Sequence, residues 1–216
     1  MTEPRPAFLP PAVVLVEARH DVALATAWPE ELAAVVDFSP ARQAEYVTVR
    51  HCARRGLSDL GLPVGPILDD AAGAPIWPVG VIGSLTHCRG YRAAALTRRG
   101  DLTALGIDAE PAAALPAGVL KRITVPDEAE AVSELTSQDA SQPWDRLLFC
   151  AKEALYKAWY PLTRVGLGFH DVTIELRPDG RGDLAFRRPV PEPVAGLDWH
   201  LTWVVADGIA RAAVWA

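Results

Sequence analysis

The chain has 216 residues, a formal net charge of −6 at pH 7, 50% apolar residues and 22% charged residues. This composition is typical of a globular protein and excludes intrinsic disorder, and no apolar run approaches the roughly 20 residues of a membrane-spanning helix. The net acidity argues against nucleic acid and anionic membrane as partners. With no export signal and an odd number of scattered cysteines, the protein is expected to be cytoplasmic.

The pattern of apolar residues and chain breakers predicts helices and short strands. A long helix is predicted to begin with Ser39 as N-cap and Pro40 as its first residue. A second long helix is predicted between Pro143 and Pro161, with no glycine or proline in between. The turn at residues 98–101 predicts a hairpin between the strands on either side of it. In chain order, the predicted elements are a strand at residues 13–16, helices at 29–36 and 39–60, strands at 81–86, 92–97 and 103–108, a short helix after Pro126, a helix at 144–160, and strands at 171–176, 183–186, 199–205 and 209–215.

Two parts of the chain resemble each other. Ser84-Leu-Thr-His87 with the following alanine-rich strand is similar to His200-Leu-Thr-Trp203 with its following strand, and each pair of strands comes after a helix. The prediction is an α+β fold of two pseudo-symmetric α/β subdomains, each a helix packed on a small, mostly antiparallel sheet, with the active site between them. The predicted subdomains are residues 1–110 and 111–216.

Three acidic residues are candidates for chemistry. Strand alternation places Asp108 and Glu110 on one face, where both carboxylates can reach one cation such as Mg²⁺; the alternative is an ordinary polar strand end. Glu153 and Lys157 are neighbours one helical turn apart, in the favourable order for a surface ion pair. The helix around them is apolar on most sides, however, and charges on a buried helix need partners such as a metal-bound phosphate.

Phosphate-binding candidates lie in the first half of the chain. Thr86 and His87, between two glycines, offer donors to a phosphate, although a single histidine is more often an ordinary structural residue. Arg42, Arg50 and Arg54 share a broad face of the helix at 39–60, whose alternative role is a solvated surface. The sequence contains no nucleotide-binding glycine loop, no nucleophile elbow and no zinc-ligand spacing.

Taken together, three motifs resemble the signatures of the 4′-phosphopantetheinyl transferases, in the order and approximate spacing of that family. They are Gly83-Ser-Leu-Thr-His87, Gly106-Ile-Asp-Ala-Glu110 and Ala151-Lys-Glu-Ala-Leu-Tyr-Lys157. The resemblance is to the long, Sfp-like type that includes the enterobactin-synthetase-activating enzymes. It extends over roughly residues 38–170, because the arginine-bearing helix and the Pro-Ile-Trp-Pro78 loop also resemble the family.

The resemblance implies Mg²⁺-dependent transfer of the phosphopantetheine arm of coenzyme A to a serine of an acyl or peptidyl carrier protein, releasing adenosine 3′,5′-bisphosphate. Asp108, Glu110 and Glu153 resemble the metal ligands, for which Mn²⁺ could replace Mg²⁺. The catalytic residues that it implies are Glu153 as metal ligand and proton acceptor, Lys157 at the leaving group, and Lys152 beside it. The residues that it assigns to coenzyme A are Arg42, Arg50, Arg54, Gly73, Thr86, His87, Asp108, Lys152, Glu153, Lys157 and Leu167.

One loop departs from the family pattern. Relatives commonly carry a lysine or arginine just before the Gly-x-Pro of this loop, whereas this chain has Asp69-Asp-Ala-Ala72 before Gly73. The departure predicts weaker coenzyme binding or compensation by Arg54. A monomer is expected, and the carrier pathway (fatty acid, polyketide, nonribosomal peptide or siderophore) is left open. The alternatives are a non-catalytic module that binds coenzyme A or carriers and a Mg²⁺-dependent phosphohydrolase.

Overall fold

The computed structural model describes residues 7–216, which form five α-helices and eight β-strands. The helices are α1 (Pro29–Ala33), α2 (Pro40–Asp59), α3 (Val119–Ile123), α4 (Pro126–Gln138) and α5 (Trp144–Thr163). The strands are β1 (Val14–Ala18), β2 (Val81–Cys88), β3 (Tyr91–Arg98), β4 (Leu105–Pro111), β5 (Val172–Leu176), β6 (Arg181–Phe186), β7 (His200–Ala206) and β8 (Ile209–Trp215). The predicted α+β class is confirmed. No helix within residues 7–216 is both long and apolar enough to cross a membrane.

The chain divides into two compact units. The N-terminal unit is Pro11–Leu105, and the C-terminal unit joins residues 7–10 to Gly106–Ala216. The sequence placed this boundary after residue 110, whereas the structure places it at the start of β4. The physical reason is strand pairing: β4 is hydrogen-bonded to β8 and is therefore the edge strand of the C-terminal sheet.

The N-terminal unit is a three-stranded antiparallel sheet, in the order β1-β3-β2, with α2 packed on it. Ser39 caps α2 by accepting a hydrogen bond from the amide of Arg42, as its position before Pro40 predicts. Gly56 lies where a Cβ atom would come 2.5 Å from the side chain of Leu96, so the absence of a side chain lets helix and sheet approach. The core of this unit consists of Val16, Cys52, Ala53, Leu57, Ile67, Val81, Ala94 and Leu96.

The C-terminal unit is a five-stranded sheet in the order β4-β8-β7-β6-β5, on which α5 packs. Trp144, in the first turn of α5, makes an edge-to-face contact with Trp203 of β7, with 5.1 Å between ring centroids. Trp144 and Trp159 are both fully buried, so the helix is anchored in the core near each of its ends.

The two units share one internal arrangement, which explains the repeat in the sequence. In each, a helix of 20 residues packs on an antiparallel hairpin: α2 on β2–β3 and α5 on β7–β8. The strand registers of the two hairpins differ by two positions, because Leu85 pairs with Ala94 whereas Leu201 pairs with Val214, the counterpart of Leu96. The predicted pseudo-symmetry of the subdomains is thus present at the level of secondary structure.

Three local predictions need correction. The hairpin across residues 98–101 is wrong, because β3 and β4 belong to different sheets and the turn composition does not determine the pairing partner. The helix α3, which begins after Gly118 in a left-handed conformation, was not predicted. Helix α5 continues past Pro161 to Thr163; a proline so near the end removes a single intrahelical bond, and Arg164 closes the helix by donating to the carbonyl of Tyr160.

Candidate active site

Alternate residues of β4 face α5 and create the site. Gly106 lies so close to the helix that a Cβ atom would overlap the carbonyl oxygen of Ala154. Because side chains alternate along a strand, Asp108 and Glu110 point to the same side as Gly106. A glycine followed by two acidic residues at this spacing therefore brings two carboxylates against one face of the helix.

Lys157 of α5 binds the first of these carboxylates. Its Nζ atom donates to Oδ1 of Asp108 at 2.7 Å and to the carbonyl of Ile107 at 3.2 Å. The Asp108 side chain is buried, whereas about a third of the Lys157 side chain is exposed. The ammonium group therefore neutralises a buried carboxylate while keeping access to solvent.

Arg146 binds the second carboxylate from the other end of the helix face. Its Nη1 atom lies 3.3 Å from Oε2 of Glu110, and its Nε and Nη2 atoms donate to the carbonyls of Ala113 and Ala114 at 2.9 and 3.0 Å. Arg146 precedes Glu153 by seven residues, or about two helical turns, so the two side chains project from one face of α5. Arg146 was not predicted from the sequence, although its seven-residue spacing from Glu153 indicates a shared helix face.

Glu153 lies between these two cations along the helix and is electrostatically coupled to both strand carboxylates. Burial and then the negative charge of Asp108 raise the pKa of Glu153, and Lys157 opposes that shift. The pKa of Glu110 is raised for the same two reasons, with Arg146 opposing. The three acids therefore share one low-dielectric region. Within the part of the chain that the structure describes, Glu153 forms no hydrogen bond or ion pair.

The three predicted metal ligands are near one another, but they are not arranged as a coordination sphere. Among residues 7–216 no three histidine, cysteine, aspartate or glutamate side chains are grouped closely enough to hold one ion. Two of the acids are instead held by cations, Asp108 by Lys157 and Glu110 by Arg146. Cys150, on the same helix, is a buried thiol whose pKa is raised well above its usual value by burial and by Asp108, which makes it a poor nucleophile.

Lys152, to which the resemblance assigned catalysis and coenzyme binding, is engaged inside the C-terminal unit. Its side chain is buried, and Nζ donates to Glu128 at 2.8 Å and to the carbonyls of Phe169 and Val172 at 2.6 and 3.0 Å. Three acceptors use all three ammonium hydrogens. Glu128 also accepts from the amide of Ile174, so the pair joins α4 and α5 to β5. These contacts give Lys152 a structural role, and its roles in catalysis and coenzyme binding stay predictions.

In the N-terminal unit, Glu45 brings two predicted phosphate-binding residues together. Its Oε2 atom accepts from Nη1 of Arg42 at 3.2 Å and lies 3.6 Å from Nε2 of His87. Its other oxygen lies 3.4 Å from Arg92, which also binds Asp21. The Arg42 side chain is 45% exposed and His87 is half-buried, so both can reach an external anion. Glu45 was missed in the sequence, although it follows Arg42 by three residues on the same helix face.

Thr86 and Gly73 have surroundings that differ from those of Arg42 and His87. Strand alternation puts Thr86 on the opposite face of β2 from His87, and Thr86 is buried. Gly73 lies in an exposed turn with φ of +82°, where a side chain would be strained. Asp70 shapes this turn, because its Oδ1 atom accepts from the amides of Ala72 and Ala74, each at 2.9 Å.

The other two arginines of α2 are engaged inside the N-terminal unit. Arg54 donates to both carboxylate oxygens of buried Glu31 and, at 2.8 Å, to the carbonyl of Thr26. Arg54 is therefore an anchor between α2 and the segment that precedes it, and its role in coenzyme binding stays a prediction. Arg50 forms an ion pair with Asp69, and its guanidinium stacks 3.4 Å from the ring centroid of Tyr46.

Burial lowers the pKa of Arg50, and Asp69 opposes that shift. The loop before Gly73 carries Asp69 and Asp70 where relatives commonly carry a lysine or arginine. Its Asp69 binds Arg50 of the same unit. Leu167, the last predicted coenzyme contact, is half-buried in the segment that follows α5.

Known proteins share both units. The model of the 4′-phosphopantetheinyl transferase N-terminal domain matches residues 29–97, and that of the 4′-phosphopantetheinyl transferase superfamily matches residues 104–207. The 4′-phosphopantetheinyl transferase Svp of Streptomyces mobaraensis is 46% identical over 191 residues, which are 87% of this chain and 77% of Svp. The transferase PptT of Mycobacterium tuberculosis is 49% identical over 157 residues, which are 73% of this chain and 68% of PptT.

The resemblance to the enterobactin subgroup is weaker. Enterobactin synthase component D of Salmonella typhi is 28% identical over 125 residues, 55% of this chain and 48% of that protein. The match to the family is far stronger, because it covers both units at nearly half of the positions. Together with the strand carboxylates, Glu153 and Lys157 in one region of the C-terminal unit, it establishes that this chain belongs to the 4′-phosphopantetheinyl transferase family of enzymes.

Proposed function

We propose that this enzyme transfers the 4′-phosphopantetheine arm of coenzyme A to a serine of an acyl or peptidyl carrier protein. The observation that carries the proposal is the ion pair between Lys157 and Asp108, 2.7 Å long, with Glu110 and Glu153 in the same electrostatic region. A pyrophosphate and its cation need such a set: acidic oxygens for the cation, and an ammonium for the phosphate.

The donor set fits Mg²⁺. Asp108, Glu110 and Glu153 provide only carboxylate oxygens, which are the ligands that Mg²⁺ prefers. Mutual repulsion contributes to the raised pKa values of Glu110 and Glu153, and a divalent cation would remove that repulsion. Mg²⁺ bound by these residues would neutralise charge on the pyrophosphate. A cation bound to Asp108 would repel the Lys157 ammonium group, which would then be available to a phosphate.

Glu153 and Lys157 have complementary roles in this proposal. The carrier serine attacks the β-phosphorus of coenzyme A; the new P–O bond forms as the bond to the bridging oxygen breaks, and adenosine 3′,5′-bisphosphate leaves. Glu153, whose half-buried side chain forms no hydrogen bond or ion pair within the described residues, would accept the serine proton. Lys157 would stabilise the negative charge that develops on the leaving phosphate.

The proposed coenzyme contacts of the N-terminal unit are Arg42 and His87. Both contact Glu45, and an anion from the coenzyme would compete with that carboxylate for them. The exposed turn at Gly73, Thr86 and the half-buried Leu167 remain further proposed contacts. Arg50 has an indirect role here, because its bond to Asp69 orders the loop that leads to Gly73.

We further propose that the protein acts as a monomer in the cytoplasm. Its three cysteines are buried thiols, which suits a reducing compartment. Light scattering of the purified protein tests the first point, and localisation of a fluorescent fusion tests the second.

The test is incubation with coenzyme A, Mg²⁺ and a panel of apo carrier domains, followed by intact-mass measurement of each carrier. We expect at least one carrier to gain the mass of the phosphopantetheine arm, and the same carrier with its acceptor serine replaced by alanine to gain nothing. Failure to modify any carrier would contradict the proposal. Release of adenosine 3′,5′-bisphosphate without a carrier would instead indicate a phosphohydrolase.

A further inference from the structure

Arg146 links three acceptors at the start of α5. One nitrogen contacts the Glu110 carboxylate, and the other two donate to the carbonyls of Ala113 and Ala114. Its side chain is largely buried, with 14% of it exposed. A planar guanidinium that meets three acceptors at once has little freedom to rotate, and a lysine ammonium cannot reproduce this arrangement.

The two carbonyls belong to the segment that directly follows β4. The neighbouring Asp145 ties the same segment, because its Oδ2 atom accepts from the amide of Leu115 at 2.8 Å. The amide of Ala112 donates to the carbonyl of Gly208 at 2.8 Å. Arg146 and Asp145 therefore both fix this segment, and of the two only Arg146 also contacts Glu110 in the described structure.

Glu110 needs this contact because its surroundings are unfavourable for a carboxylate. It is half-buried and lies on the same face of β4 as the like-charged Asp108. A carboxylate in such a position lowers its energy by turning toward solvent. The contact from Arg146 opposes that movement, since it holds Oε2 at the helix.

We infer that Arg146 is a positioning residue of the metal site, which holds the Glu110 carboxylate beside Asp108 so that both can bind one divalent cation. This inference rests on the proposed function, in which Glu110 is a metal ligand. Hydrogen-bond partners of metal ligands typically change metal affinity by tenfold or more when they are removed. In this inference Arg146 acts through Glu110 and does not itself contact the reacting atoms.

The test compares Mn²⁺ binding to the full chain and to R146K, measured by calorimetry without coenzyme A. R146K keeps the positive charge, so a change in affinity reports the lost geometry. We expect Mn²⁺ to bind R146K about tenfold more weakly than the unsubstituted chain. The matched control is D145A, which loses the tie to Leu115 without touching Glu110; it should be less stable but bind Mn²⁺ within about twofold of the unsubstituted chain.

A double-mutant cycle with E110Q separates positioning from a general structural effect. If Arg146 acts through Glu110, R146K should weaken Mn²⁺ binding by less than about twofold in the E110Q background. Equal Mn²⁺ affinity of R146K and the unsubstituted chain, with only a loss of thermal stability, would overturn the inference. So would an equal loss of affinity in R146K and D145A.

Two further outcomes are decisive. If R146K does not fold, R146Q replaces it, because glutamine still donates one hydrogen bond; unchanged Mn²⁺ affinity in R146Q would overturn the inference. Absence of Mn²⁺ binding by the unsubstituted chain would also overturn it. The proposed transfer reaction is judged separately, by the mass of the carrier.

Discussion

Lys157 and Asp108 form an ion pair, in which Nζ of Lys157 lies 2.7 Å from Oδ1 of Asp108. The ammonium group neutralises a buried carboxylate and so stabilises the protein without metal. In the function that we propose, a divalent cation would share this carboxylate, and its like charge would favour movement of the ammonium group toward a phosphate.

The first prediction concerns K157M. Without Mg²⁺ the variant should lose about 1–2 kcal/mol of unfolding free energy, because the buried Asp108 carboxylate loses its partner. Added Mg²⁺ should raise the melting temperature of K157M more than that of the unsubstituted chain, since no ammonium has to be displaced. Transfer should slow by about a hundredfold. The control is K121M, which removes an exposed lysine of α3. If Mg²⁺ raises the melting temperature of K157M and of the unsubstituted chain equally, Lys157 and the metal ion do not compete for Asp108.

The second prediction separates two neighbouring lysines. K152M should cost about 3–5 kcal/mol, because it leaves the Glu128 carboxylate buried without its cation. Urea unfolding followed by tryptophan fluorescence measures this cost. The double variant K152M/E128Q should recover part of the loss, since the buried charge is gone. A K152M protein that is stably folded yet inactive would show that Lys152 acts on the substrate after all.

The third prediction compares two arginines of α2. R42A should raise the KM for coenzyme A about tenfold with little change in kcat, because an exposed charged contact to a phosphate is lost. R54M should leave this KM within about twofold and lower the melting temperature, since Arg54 binds buried Glu31. Steady-state kinetics over a range of coenzyme A concentrations, with thermal unfolding of each variant, checks both. A tenfold higher KM for R54M would restore its predicted role in coenzyme binding.

The sequence alone predicts which side chains are neighbours when they lie a few positions apart in one strand or helix. Asp108 and Glu110 lie two positions apart on a strand, and Glu153 and Lys157 lie four apart on a helix, so each pair was predicted to share a face. Those faces do meet, because Gly106 lets β4 lie against α5. Within either element, spacing alone determines which side chains are neighbours.

The sequence was insufficient where a role depends on a distant partner. Lys152 looks catalytic in its motif, but Glu128 lies 24 residues away on another helix and uses its charge. Arg54 likewise shares a helix face with Arg42, but Glu31 lies 23 residues away and binds it. Helical periodicity specifies the direction of a side chain and leaves its burial and its partner undetermined.

The fourth prediction concerns the pH dependence of stability without metal. The pKa of Glu153 is raised in the folded protein. Protonation of Glu153 therefore stabilises the fold at pH values below its pKa in the unfolded chain, about 4.3, and this stabilisation is lost as the pH rises through its pKa in the folded protein. The E153Q variant, whose side chain is neutral at every pH, does not lose this stability. Its unfolding free energy relative to the unsubstituted chain should therefore grow from pH 4 upward and then level off.

At pH 7 this gain should raise the melting temperature of E153Q by about 2–4 °C, while transfer is abolished. Urea unfolding at a series of pH values, in the presence of a chelator, measures the difference. Part of the pH dependence of the unfolding free energy should remain in E153Q, because the pKa of Glu110 is also raised in the folded protein. A difference between E153Q and the unsubstituted chain that stays constant with pH would contradict the assignment.

The last prediction concerns the contact that holds the carboxylates against the helix. G106A places a Cβ atom where it overlaps the carbonyl of Ala154 and comes within 2.7 Å of the Ala158 amide nitrogen. Both obstacles are backbone atoms of α5, so β4 has to move away from the helix, at a cost of about 1–3 kcal/mol or more. The movement carries Asp108 away from Lys157, and Mn²⁺ affinity should fall together with stability.

The control is G166A, whose Cβ atom would meet no other atom within 4 Å. Thermal unfolding and Mn²⁺ titration of both variants decide the point: if G106A binds Mn²⁺ as tightly as G166A does, the close approach of β4 to α5 is not what sets the geometry of the site.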